Sequence, residues 1–139
     1  MKSVQLVESE ISVPINSDQD IVAARQKGRL LAITLGFSSG DATLIATAIS
    51  ELARNIVTYA KPGKVVLTVI HNSGRPGIQL VAYDTGPGIP DVSQALRDGF
   101  STSGSLGLGL PGVKRLVDEF EIVSELNHGT TVTAKKWRL

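Results

Sequence analysis

Apolar and polar residues alternate through SVQLVESEISV (residues 3–13), with β-branched side chains in the apolar slots, which predicts a strand. The run NSDQD follows and supplies capping chemistry for a helix over residues 20–35. The apolar stripe of that helix is Ile21, Ala24, Gly28, Leu31 and Leu35, spaced three or four residues apart, and Gly36 fits its C-terminal stop. A second helix is predicted over 41–60, ended by KPG. VVLTVI and GIQLVAYD read as two strands joined by HNSGRP, a hairpin signal. TGPGIPD is a turn-rich loop, VSQALRD a short helix, and FSTSGSLGLGLPG a flexible loop. VKRLVDEF is expected as the third main helix, and EIVSEL, NHG and TTVTAKKW as a final hairpin. Strands in hairpin runs, rather than in strict alternation with helices, predict an α+β two-layer sandwich. Its sheet is expected to be mixed but mostly antiparallel, with helices on one face, in a single domain over residues 1–139.

Composition narrows the classes of function. The net charge is +1, with no cluster of basic residues and no interleaving of basic and aromatic ones, so neither nucleic acid nor a membrane surface is an expected partner. The absence of cysteine excludes disulfides, thiolate catalysis and Cys-ligated zinc. No apolar stretch approaches the roughly 18 residues of a membrane span. The start, MKSVQLVESEIS, has acids where a signal peptide needs an apolar run, so the cytoplasm is the expected location. Glycine is abundant, at 14 residues, and gathers between Gly86 and Gly112, which marks that stretch for closer reading.

Three segments carry candidate chemistry. In the second helix Leu44, Ile45, Ala48, Ile49, Leu52, Ile56 and Ala60 cover most of the circumference, as in a buried helix. Thr47, Glu51, Asn55 and Thr58 nevertheless share one side, so Glu51 and Asn55 project together from a core-like element. A buried carboxylate is costly unless it is paired or lines a solvated cleft. The two readings are a solvent stripe with Glu51 paired to Arg54, and a site lining. Asp84, Thr85, Gly86, Pro87 and Gly88 follow a strand directly. They read either as an ordinary turn or as an acceptor for an exocyclic amine, with glycines letting backbone approach a flat ring. Asp-Thr-Gly is also the signature of an aspartic protease, which a homodimer would be needed to complete. Finally, GSLGLGLPG (104–112) contains the G-x-G-x-x-G pattern, but a polar loop precedes it where a dinucleotide fold needs a strand, and no G-K-[ST] follows. What remains is a glycine-rich segment feeding a helix that begins near Leu110, with Pro111 in its first turn: an anion site, whose flanking loop can close as a lid.

E-L-A-R-N on a helix, D-x-G-x-G after a strand and G-x-x-G-x-G opening a helix occur here in that order. Together they resemble the GHKL ATPase superfamily of gyrase, Hsp90, histidine kinase and MutL type, with its Bergerat ATP-binding fold. Gly129-Thr130 resembles the third glycine box of that family. ISELARNI, DTGPGIPD and DGFSTSGSLGLGLPGVKRLVDEF are similar to one branch within it, the RsbT-type serine/threonine kinases of the bacterial stressosome, near the anti-sigma-factor kinases.

The resemblance implies roles residue by residue. Glu51 takes the place of the catalytic acid that orients the attacking oxygen. Asn55 takes the place of the Mg²⁺ ligand beside ATP, and a single neutral protein ligand suffices for an ion that keeps phosphates and water around it. Asp84 resembles the acceptor for the adenine amine, with Gly86, Gly88 and Ile89 shaping the pocket and Thr130 assisting at the base. Gly104, Leu106, Gly107, Gly109 and Leu110 correspond to the phosphate loop. An Arg often found just before the second glycine box is replaced here by Ser103; Arg97 and Arg54 are the nearest substitutes. A carboxylate is a far weaker base than an alkoxide, so Glu51 would orient a Ser or Thr hydroxyl and accept its proton late in phosphoryl transfer. The implied activity is an ATP-dependent protein serine/threonine kinase. Its implied partners are RsbS- or RsbR-like STAS-domain proteins, as substrates that also sequester it, and an RsbU-like PP2C phosphatase, activated on release. Three other readings remain open: a non-catalytic, nucleotide-switched anti-sigma binding module, a histidine kinase fragment without its partner helix, and the homodimeric protease.

Overall fold

The computed structural model describes residues 5–89 and 109–139. Five strands form one sheet: β1 (Gln5–Ile15), β2 (Gly63–Asn72), β3 (Arg75–Asp84), β4 (Glu119–Glu125) and β5 (Gly129–Trp137). They lie in the order β1-β2-β3-β5-β4, and every pairing among them is antiparallel. The helices are α1 (Asp18–Thr34), α2 (Ser39–Asn55) and α3 (Gly109–Leu116), with a π-helical turn over Ile56–Ala60 continuing α2. The short helix expected over 92–98 lies outside the described residues.

Local chemistry explains most boundaries. The Asp20 carboxylate accepts from the backbone N–H groups of Asn16 (2.8 Å) and Ser17 (3.2 Å), which anchors the start of α1. Ser38 caps α2 by accepting from the Asp41 N–H at 3.0 Å. β2 and β3 meet in a two-residue turn, Ser73-Gly74, with both residues at positive φ as a type I′ hairpin requires. At the other end of α1, the Arg138 guanidinium donates to the Leu35 carbonyl at 3.0 Å and satisfies an orphan acceptor there.

The core lies between the helices and one face of the sheet. Ile21, Ala24 and Ala32 of α1 meet Ile45, Ile49 and Leu52 of α2 over Val65, Leu67, Ile78, Leu80, Val132 and Ala134. Leu31 and Leu35, expected in the buried stripe of α1, are only partly covered, and Ala32 takes the inner position. Gly28 is where the two helices approach: a Cβ there would collide with Ile49 Cδ1.

Two elements end earlier than their sequence patterns suggest. The second helix is α-helical only to Asn55, and the wider π turn then keeps Ile56 buried. The third helix stops at Leu116 instead of running through Phe120. Asp118 is claimed by the sheet: its N–H donates to the Lys135 carbonyl and its carboxylate accepts from the Trp137 N–H, at 2.9 and 2.8 Å. Glu119 and Phe120 therefore open β4, because tertiary hydrogen bonds outweigh helix propensity over so short a stretch.

Candidate functional site

The register of the sheet sets one transverse row. Gly63 pairs with Asp84, Asp84 with Thr130, and Thr130 with Ser124, so four strands contribute one residue each. Alternation along β3, β4 and β5 places Asp84, Thr130 and Ser124 on the same face as Leu80, Val132 and Ile122, which is the face under the helices.

Hydrogen bonds lock this row to the loop after β3. Asp84 Oδ1 accepts from the Gly86 N–H at 3.0 Å and from the Thr130 N–H at 3.2 Å. Its second oxygen accepts from no described residue. Ser124 Oγ accepts from the Ile89 N–H at 2.7 Å and lies 2.9 Å from Thr130 Oγ1. The turn between β4 and β5 closes on the same loop, with the Asn127 N–H donating to the Pro87 carbonyl at 2.9 Å. The approach is tight enough to require glycine: a Cβ on Gly88 would lie 2.5 Å from the Glu125 carbonyl oxygen, and one on Gly129 would overlap the Asp84 carbonyl oxygen. From the helix side, Ala60 of the π turn sits on Gly86, where a Cβ would come within 2.5 Å of Ala60 Cβ.

The second wall is α2. Thr47, Glu51 and Asn55 are half-buried among residues of full burial such as Ala48, Leu52 and Ile56. Glu51 and Arg54, expected as an ion pair if this side is a solvent stripe, make none among the described residues, and Arg54 is exposed. Instead Glu51 Oε2 accepts from the backbone N–H of Gly109 at 3.2 Å, at the first residue of α3. That bond joins the helix acid to the end of the glycine-rich segment, 58 residues away. Asn55 closes α2, and no hydrogen bond among the described residues holds its amide.

The site residues expected from sequence are thus distributed over two walls. Asp84, Gly86, Gly88, Ile89 and Thr130 form one, and Glu51, Asn55 and Gly109 the other. Leu110 is half-buried and packs on the core, so its part is to anchor the start of α3. Gly104, Leu106 and Gly107 lie outside the described residues, as do Ser103 and Arg97. Ser124 was not anticipated. Its one signal is a hydroxyl at a core-facing position of the alternating strand EFEIVSE.

Residues 40–139 match the family model for the histidine kinase-, DNA gyrase B- and HSP90-like ATPases. The chain is 53% identical over 125 residues to the serine/threonine-protein kinase RsbT of Bacillus subtilis (strain 168), covering 90% of this chain and 94% of that one. It is 33% identical over 106 residues to the anti-sigma F factor of Geobacillus stearothermophilus, covering 71% of each chain. The fold is similar to that in the crystal structure of the RsbU and RsbW domains of a Mycobacterium tuberculosis protein. The TM-score there is 0.65 at 18% identity, over 95% of this chain and about a third (34%) of the other. These likenesses take the chain away from the aspartic-protease reading of Asp84-Thr85-Gly86. The family model, the 53% identity and an antiparallel sheet with helices on one face place this chain in the histidine kinase-, DNA gyrase B- and HSP90-like ATPase family, within its RsbT-type serine/threonine-protein kinase branch.

Proposed function

We propose that this chain moves the γ-phosphoryl group of ATP to a Ser or Thr hydroxyl of a STAS-domain partner, and that its release from that partner lets it activate a PP2C-type phosphatase. The observation that carries the catalytic part is the bond between Glu51 and the Gly109 N–H at 3.2 Å. It brings a carboxylate to the helix N-terminus where phosphate oxygens are best received. Phosphoryl transfer needs mainly positioning and neutralisation of charge. In this reading Asp84, with one oxygen held by two backbone N–H groups, turns the other toward the exocyclic amine of adenine. Glu51 orients the partner's hydroxyl and takes its proton late, at a carboxylate oxygen. With the Gly109 N–H held by Glu51 and none on Pro111, the N–H groups of Leu110 and Gly112 in the first turn of α3 receive the phosphates.

Asn55 fits a Mg²⁺ site. Its amide oxygen accepts no hydrogen bond from the described residues, and these contain no group of three or more His, Asp or Glu side chains able to cage a metal. Mg²⁺ commonly accepts such a site, keeping water and phosphate oxygens around it. When bound there it would offset charge on the transferring phosphates.

The test is to incubate the protein with radiolabelled ATP and a purified STAS-domain protein and to map the labelled residue. Label on one Ser or Thr of the partner is expected. A partner left unlabelled by a protein that binds Mg-ATP normally would overturn the kinase reading. It would favour the docking module that the anti-sigma relatives suggest.

A further inference from the structure

We infer that Ser124 is a positioning residue that sets purine specificity, by fixing which way the Thr130 hydroxyl points its proton. The inference rests on the reading of Asp84 and Thr130 as the base pocket.

Ser124 Oγ has one proton to donate and two lone pairs. One lone pair is taken by the Ile89 N–H at 2.7 Å. Its proton has two nearby acceptors: Thr130 Oγ1 at 2.9 Å and the Gly129 carbonyl at 3.4 Å. Hydroxyl hydrogen bonds cluster near 2.7–2.8 Å and rarely exceed about 3.0 Å, so the Gly129 contact is the poorer one. Assigning the Ser124 proton to the shorter contact makes Ser124 the donor and Thr130 Oγ1 the acceptor. The proton of Thr130 is then left for a group beyond the sheet. Thr130 also holds Asp84 through its own backbone N–H, so donor and acceptor are neighbours on paired strands.

Adenine offers an amine donor beside a ring-nitrogen acceptor, whereas guanine offers a carbonyl acceptor beside a ring N–H donor. Asp84, an acceptor, and Thr130, held as a donor, complement the first and oppose the second. Without the Ser124 hydroxyl, Thr130 turns freely and can accept from guanine as readily as it donates to adenine. The Ile89 N–H also loses its acceptor, which loosens the loop that shapes the pocket. Sites that commit buried polar groups to one pattern reject the wrong partner strongly, because the mismatch leaves those groups unpaired.

The experiment is calorimetric titration of Mg-ATP and Mg-GTP into the full chain and into Ser124→Ala, Ser124→Thr and Asp84→Asn, with thermal melts to verify folding. Ser124→Ala should lower the ratio of ATP to GTP affinity by roughly tenfold, the size of one lost and mismatched hydrogen bond. Ser124→Thr keeps the hydroxyl on a β-branched residue suited to a strand and should restore the ratio. An unchanged ratio in Ser124→Ala, with ATP binding weakened roughly thirtyfold in Asp84→Asn, would overturn the role of Ser124 and leave the pocket reading intact. A fall in both affinities by the same factor would do the same, marking Ser124 as merely structural. Unaltered ATP affinity in Asp84→Asn would remove the pocket reading and this inference with it.

Discussion

Asp84 lies in a row of paired strands and accepts two backbone N–H groups, whereas Glu51 and Asn55 project from a helix face with one described hydrogen bond between them and the rest of the site. The first wall is over-determined: two strand registers, a turn-to-loop bond and three glycine contacts hold one small region. The second wall is fixed in position by the burial of Ile49, Leu52 and Ile56, but among the described residues Glu51 has one hydrogen-bond partner and the Asn55 amide has none. Such a division suits an enzyme that must recognise one nucleotide from a built pocket and then receive a protein hydroxyl. Preorganised groups bind without a further ordering cost, and unsatisfied ones wait for ligand or partner.

Glu51→Gln gives the sharpest break between the walls. The amide keeps the shape of the side chain and still offers an oxygen to the Gly109 N–H, but it cannot take a proton. Transfer to a STAS partner should fall by about a thousandfold, the usual scale for losing a general base, while Mg-ATP affinity moves by less than about threefold. Labelling rates and calorimetry together check this. Retained transfer would remove Glu51 from the chemistry.

Gly129→Ala attacks the opposite wall. Gly129 has φ of +96°, and a methyl group there overlaps the Asp84 carbonyl oxygen. Backbone must shift where β3 and β5 meet, so stability should fall by about 3 kcal/mol in denaturant titration, with ATP binding lost in parallel. Normal stability would show that the clamp gives way more easily than its contacts imply.

Asp84→Asn tests the same wall without moving backbone. If the amide oxygen serves the Gly86 and Thr130 N–H groups, the NH₂ group faces the adenine amine, donor against donor. ATP affinity should drop by about 2 kcal/mol, or roughly thirtyfold, the value of a hydrogen bond to a charged group. Calorimetry reads it directly, and stability should hardly change.

The two walls also differed in how much of them could be read from the chain. Glu51 and Asn55 were legible because helical periodicity alone puts them on one side of a stretch whose other positions are apolar. Asp84 and its glycines were legible because turn chemistry is local. Ser124 was not, since its partner Ile89 is 35 residues away and only the register of β4 on β5 brings them together. The end of α3 departs from its sequence pattern for the same reason: Asp118 continues a helical pattern, but Lys135 and Trp137 draw it into the sheet. The π turn after Asn55 likewise answers to tertiary contacts, with Ile56 buried and Ala60 on Gly86, rather than to a break in the sequence pattern.

Gly74→Ala supplies the smallest effect and the control for the clamp. Gly74 shares the positive φ of Gly129, at +80°, yet a Cβ there would meet nothing within 4 Å. Both positions carry the conformational penalty of a left-handed residue with a side chain, but only Gly129 adds a collision. Gly74→Ala should therefore cost about 1 kcal/mol of stability, from the turn alone, and leave ATP affinity unchanged. The gap between the two alanine variants then measures the close packing of the hairpin on Asp84, separated from backbone preference. Equal losses would mean that the contact carries no energy of its own. A fall in ATP affinity in Gly74→Ala would mean that the far end of β3 is coupled to the pocket, contrary to the local lock described for Asp84.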